Sequence, residues 1–99
     1  MLTSKQRAYL RSLANSYDTV VYIGKGGITE TVVKQTDEVL EARELIKCKV
    51  LENSDVTSRQ AADIISEKLN CDVVQVIGSK FIVYSPASDK DKRTIVLKK

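Results

Sequence analysis

The sequence predicts an α/β fold of the α+β type, in the order αβαβαββ, with a four-stranded mixed sheet and helices packed on it. Three observations carry that prediction. Two near-identical openings, Thr3-Ser4-Lys5-Gln6 and Thr57-Ser58-Arg59-Gln60, read as capping boxes, each ahead of an apolar helical period. Short β-branched runs alternate with the helical stretches, which calls for parallel neighbours joined by right-handed crossovers. Finally, Val73-Val74-Gln75-Val76-Ile77 and Phe81-Ile82-Val83-Tyr84 flank Gly78-Ser79, the spacing of a type II′ hairpin, and so add an antiparallel strand.

The elements follow in order. In the first helix, Leu10, Leu13, Ala14 and Tyr17 share one face, while Arg7 and Arg11, four apart, form a separate stripe. Asn15-Ser16-Tyr17-Asp18 is its exit. Val20-Val21-Tyr22-Ile23 reads as a buried strand ending at Gly24-Lys25-Gly26-Gly27. The second helix takes Thr29 as N-cap and turns Ile28, Val32, Val33, Val39 and Leu40 inward. Asp37, Glu38, Glu41 and Glu44 crowd its C-terminal half, against the helix dipole's preference, a cost for which the sequence offers no reason.

Leu45 to Val50 alternates as a strand, with Ile46, Cys48 and Val50 inward and Lys47 and Lys49 outward. Asn53-Ser54-Asp55 is a loop. The third helix buries Ala61, Ile64, Ile65 and Leu69, and Asn70 suits a left-handed C-terminal position. Pro86 stops the last strand. The reading is therefore one folded domain, residues 1–86, and a basic, mobile tail, residues 87–99, with room for a short strand at Ile95-Val96-Leu97.

Composition narrows the function. At 99 residues the chain makes one domain, and 42% hydrophobic with 29% charged residues is ordinary for a soluble one. No apolar run reaches the length of about 18 residues that spans a membrane, and the first residues lack the apolar stretch of a signal peptide. There is no His, which excludes a Ser-His-Asp triad, a Cys-His pair and histidine metal ligation. Cys48 and Cys71 form neither a CxxC motif nor a zinc set. Each lies in or beside an apolar run, so both read as buried, reduced thiols of a cytoplasmic protein. No catalytic residue, cofactor, metal or membrane partner is expected, and the chain is read as a monomer rather than an enzyme.

Charge is segregated along the chain. Residues 1–34 hold five basic against two acidic groups, a net of +3. Residues 35–44 hold one basic against four acidic groups, a net of −3. Residues 85–99, with Lys90, Lys92, Arg93, Lys98 and Lys99 against Asp89 and Asp91, carry +3. Basic groups that share a face would bind phosphates.

The glycine loop gives that face a centre. Three glycines in Gly24-Lys25-Gly26-Gly27 allow positive φ and close backbone approach, Lys25 supplies a cation, and a helix N-terminus follows. The Walker A pattern is absent. So is the dinucleotide fingerprint, because Thr29 stands where its third glycine belongs. What remains is a G-x-x-G clamp of the kind that holds a nucleic-acid backbone.

Four segments in this order carry a resemblance: Leu2-Thr3-Ser4-Lys5-Gln6-Arg7, then Ile23-Gly24-Lys25-Gly26-Gly27-Ile28-Thr29, then Glu44-Leu45-Ile46-Lys47-Cys48-Lys49-Val50, then Val74-Gln75-Val76-Ile77-Gly78. The set resembles the CRM domain, most closely its stand-alone bacterial, YhbY-type members, over residues 1 to about 86. The resemblance implies an RNA-binding module related in fold to the C-terminal domain of bacterial translation initiation factor three. It also implies a partner in rRNA, in precursors of the large ribosomal subunit. Carried onto this chain, it points to Gly24, Lys25, Gly26 and Gly27 with Lys5 and Arg7, and Lys47 matches the family's Glu-Leu-Ile-Lys segment. Members often end the last strand with Leu-Tyr-Arg, where this chain reads Val83-Tyr84-Ser85.

The expected interface is thus Lys5, Arg7, Arg11, Gly24, Lys25, Gly26, Gly27 and Lys47, gripping RNA by its backbone and reading its shape. It requires the loop and the cationic stripe of the first helix to lie side by side. Tyr17, Tyr22 and Phe81 are read as core, and Tyr9 and Tyr84 as filler rather than base-stacking groups. The alternative is a protein-interaction module docking through its acidic 37–44 segment.

Overall fold

A computed structural model describes residues 2–97. Its elements are α1 (Ser4–Ala14), β1 (Thr19–Ile23), α2 (Glu30–Arg43), β2 (Leu45–Val50), α3 (Ser58–Leu69), β3 (Asp72–Ile77) and β4 (Lys80–Tyr84), then a short 3-10 turn at Lys90–Lys92. The expected αβαβαββ order and the four-stranded mixed sheet are what the chain forms. The strands lie in the order β1-β2-β4-β3, with β1 parallel to β2 and the other pairs antiparallel.

Local chemistry sets the element ends. Both capping boxes close as read, with Thr3 and Thr57 accepting from the amides of Gln6 and Gln60 and those glutamines reaching back. Thr29 caps α2 through the Val32 amide. Asn70 ends α3 at φ 53 and ψ 44, the left-handed region. In the hairpin, φ is positive at Gly78 but not at Ser79, which fits a II′ turn and excludes I′.

Helices pack against both faces of the sheet. Against one face, α2 and α3 bury a cluster of Val21, Ile23, Leu40, Ile46, Cys48, Ala61, Ile65, Phe81 and Val83. Against the other, α1 buries Leu10 and Ala14 on Leu45, Val74, Ile82 and Tyr84. Period two along the strands divides the residues between these faces. Phe81 is core as read, and Tyr84 joins it.

Two core assignments fail. Tyr17 is 37% exposed and Tyr22 is 54% exposed. β1 is buried on one face only: Val21 and Ile23 sit in the core as expected, whereas Tyr22 points to the opposite face, away from α2 and α3. In α2, Val33 is half-buried and outside both core clusters, whereas Thr36 is fully buried. The Thr36 hydroxyl donates back to the Val32 carbonyl at 2.7 Å, which lets a polar side chain sit in the core.

Residues 87–97 form no strand, and they are tied to the acidic end of α2. The Glu44 side chain is 1% exposed. Its carboxylate accepts from the amides of Ala87 (3.0 Å), Thr94 (2.6 Å) and Ile95 (3.2 Å) and from the Thr94 hydroxyl. Glu41 accepts from the Ser88 amide and hydroxyl. Arg93 Nε donates to the Ala87 carbonyl at 2.7 Å, and Ile95 and Leu97 pack against the α1 cluster. Burial pushes the Glu44 carboxyl up, but the amides of Thr94, Ala87 and Ile95 and the Thr94 hydroxyl outweigh it, and its pKa is lowered. The misplaced acidic cluster therefore has its reason: it holds the following chain. Lys98 and Lys99, counted in the basic tail, lie outside the described residues.

Both cysteines are free and buried. Burial, with Cys71 nearby, pushes the Cys48 thiol up to about 12, and burial, with Asp72 beside it, pushes Cys71 up to about 11. The thiolate is the reactive form, so neither thiol is a nucleophile at neutral pH. The folded protein is expected to leave a thiol-reactive disulfide reagent unconsumed, and the same protein in denaturant to consume two equivalents, one for each cysteine.

Candidate nucleic-acid interface

The glycine loop is a tight, presented turn. The Gly27 amide donates to the Gly24 carbonyl at 3.1 Å, with φ +94 at Gly26, so Gly24–Gly27 is a type II turn whose third position demands glycine. Lys25 and Gly26 form the exposed tip, and a Cβ at Gly26 would meet only Thr29 Cγ2, at 3.8 Å. The base of the turn is fixed. Gly27 is buried at φ +66, and a Cβ there would come within 3.4 Å of Val56. Leu51 and Asn53 stand beside Gly24. The loop is therefore held from behind by the β2–α3 connection and open in front.

The strand directions collect other features at the same end of the sheet. β1 and β2 finish there, and the β3–β4 hairpin turns there. Leu51 N–H donates to the Ile23 carbonyl, Val50 N–H to the Ser79 carbonyl, and Ser58 Oγ to the Gly78 carbonyl, which knits this end together. α2 and α3 both begin there, and their dipoles add positive potential. Lys49 and Lys80, paired across β2 and β4, bring two cations to this end. The acidic groups of this end, Glu30, Glu52 and Asp55, belong to α2 and to the connection into α3.

The first helix does not join the loop as expected. Arg7 is half-buried, and its guanidinium donates to the Val73 carbonyl. Val73 lies on β3, the edge opposite β1, toward the end of the sheet where β1 and β2 start. Strand spacings put that carbonyl about 14 Å across and about 13 Å along from the end of β1. Arg7 and Lys25 thus occupy diagonal corners, and the cradle of loop plus first-helix stripe is not built. The guanidinium of Arg7 fastens α1 to β3. Lys5 and Arg11 are exposed on α1.

Lys47 is half-buried on β2, on the face that carries α1, and lines a hollow of about 430 Å³ with Tyr17, Asp18 and Arg43. Lys49, two residues on, shares that face. Both lysines were expected outward, but only Lys47 among the interface residues; Lys80, paired with Lys49, was not among them. The lysine alternation along β2 was the available signal for Lys49. Nothing local marked Lys80, whose place depends on hairpin register. In the 37–44 segment, Glu41 and Glu44 already bind residues 87–95, so half of the proposed acidic docking surface is occupied by the chain itself.

Comparison with known proteins bears on this arrangement. Residues 2–85 match the model of the CRS1 / YhbY (CRM) domain family. The probable RNA-binding protein YqeI of Bacillus subtilis is 37% identical over 89 residues, covering 90% of this chain and 93% of that protein. An RNA-binding protein of Haemophilus influenzae is 32% identical over 88 residues, 89% of each chain. The solution structure of the hypothetical protein SAV1595 from Staphylococcus aureus superposes with a TM-score of 0.78 at 44% identity, over 97% of this chain and all of that one.

Proposed function

The chain belongs to the CRS1 / YhbY (CRM) domain family, and on that premise we propose that it is a non-enzymatic RNA-binding protein of the cytoplasm that grips the RNA backbone at its glycine loop. One observation carries the reading: a lysine-tipped turn, open in front and rigid behind, stands at the end of the sheet where Lys49, Lys80 and two helix N-termini gather. Amides and lysines of this kind bind phosphates and orient the RNA without reading its sequence. Its target is rRNA in precursors of the large ribosomal subunit, a choice supported by the likeness to stand-alone bacterial members of the family.

Crosslinking in cells, followed by sequencing of the bound RNA, tests the target. Enrichment of unprocessed large-subunit rRNA is expected, and recovery of mRNA or tRNA alone would redirect the assignment. In solution, contact with about four phosphates predicts that log affinity falls against log salt with a slope near −3, read by titration at several salt concentrations. A flat salt response would remove the phosphate grip.

A further inference from the structure

The face of the sheet that carries α1 is covered over only part of its length. The helix packs on Leu45, Val74, Ile82 and Tyr84. Beyond them, one row crosses all four strands: Tyr22 pairs with Lys49, Lys49 with Lys80, and Lys80 with Ile77. Paired positions send their side chains to the same face. Tyr22 is 54% and Ile77 60% exposed, Lys80 is exposed and Lys49 half-buried.

We infer that this row is a platform for an unpaired stretch of RNA, with a base stacked on the Tyr22 ring and neighbouring phosphates held by Lys49 and Lys80. The inference rests on the RNA-binding reading and gives it a substrate class, single-stranded rather than duplex RNA. Two physical points carry it. First, like charges directly opposite on an antiparallel pair are destabilising, and Lys49 faces Lys80 in that position. A bound phosphate between them turns the repulsion into attraction, and no acidic residue stands in the row to do the same. Second, the glycine loop leaves β1 just after Ile23, so a strand held at Lys25 passes beside Tyr22, the row's one aromatic ring. Stacking on such a ring asks for a base with a free face, which a duplex does not offer.

The chain has no Trp, so Tyr22→Trp introduces a single indole whose fluorescence reports stacking. Titration with a short oligouridylate should quench it, and titration with a hairpin duplex should not. Tyr22→Leu should weaken oligouridylate binding about tenfold and leave the duplex unaffected. Its melting temperature should stay unchanged, since the ring is exposed. Lys49→Gln with Lys80→Gln should make the salt slope for the oligouridylate shallower by about 1.4. If the parent protein binds both RNAs while Tyr22→Leu retains full affinity and the indole stays unquenched, the platform falls and the loop grip survives. If the parent protein binds neither RNA, the RNA-binding reading itself fails and takes the platform with it.

Discussion

Replacing Lys25 with Ala and Gly26 with Asp together is expected to cost RNA affinity at least tenfold at moderate salt, and to make the salt slope shallower by about 1. The double change removes the cation at the turn's tip and sets a carboxylate where a phosphate would lie. Both positions are exposed, and a Cβ at residue 26 meets open space apart from Thr29. The φ of +94 makes any side chain there strained, at a cost of roughly 1–2 kcal/mol, which the fold should survive. A cooperative melting transition, lowered by no more than that strain accounts for, alongside unchanged RNA affinity would take the loop out of the mechanism. Gly27→Ala provides the contrast. It combines a left-handed φ with a close approach to Val56, so it should lower stability without touching the exposed tip.

The largest effect on stability is expected at Glu44. Glu44→Ala strips the acceptor from three backbone amides and the Thr94 hydroxyl, at a cost on the order of 3 kcal/mol in denaturant unfolding. Glu44→Gln is gentler, since the Oε1 contacts to Thr94 and Ile95 can persist. It still faces the Ala87 amide with a donor instead of Oε2, for a loss of about 1 kcal/mol. The pH dependence has a definite sign. The folded carboxyl titrates below its ordinary 4.5, so its contribution is fully present above that pH and disappears as pH falls through the folded value. The stability gap between the parent and Glu44→Gln should therefore narrow as pH drops below 4.5. A gap that stayed constant through acid pH would show that the carboxylate's charge contributes nothing.

What was legible in the sequence was local. A capping box needs four residues, a II′ turn two, and a left-handed Asn one, so Thr3, Thr57, Gly78 and Asn70 could be placed without knowing the tertiary structure. The turn at the glycine loop belongs to the same class. What could not be read depends on contacts made across the chain. Arg7 finds its acceptor 66 residues away, and Glu44 finds Thr94 across 50. The acidic end of α2 violated a local rule because a distant segment supplies its partners. Tyr22 was misplaced for a related reason: an apolar run does not show how far a distant helix covers the second face of its strand, and α1 packs on Leu45, Val74, Ile82 and Tyr84 without reaching Tyr22. The candidate interface was half legible in consequence. The turn itself was evident, but the cations beside it come from hairpin register rather than from the first helix.

The sheet's polarity has a consequence for engineering the molecule. The carboxylate latch and the lysine-tipped turn sit at its two ends, with no side chain common to both. Their free-energy effects should then simply add, with a coupling below about 0.5 kcal/mol in a double-mutant cycle. A tighter latch can thus harden the scaffold against heat while leaving ligand affinity where it was.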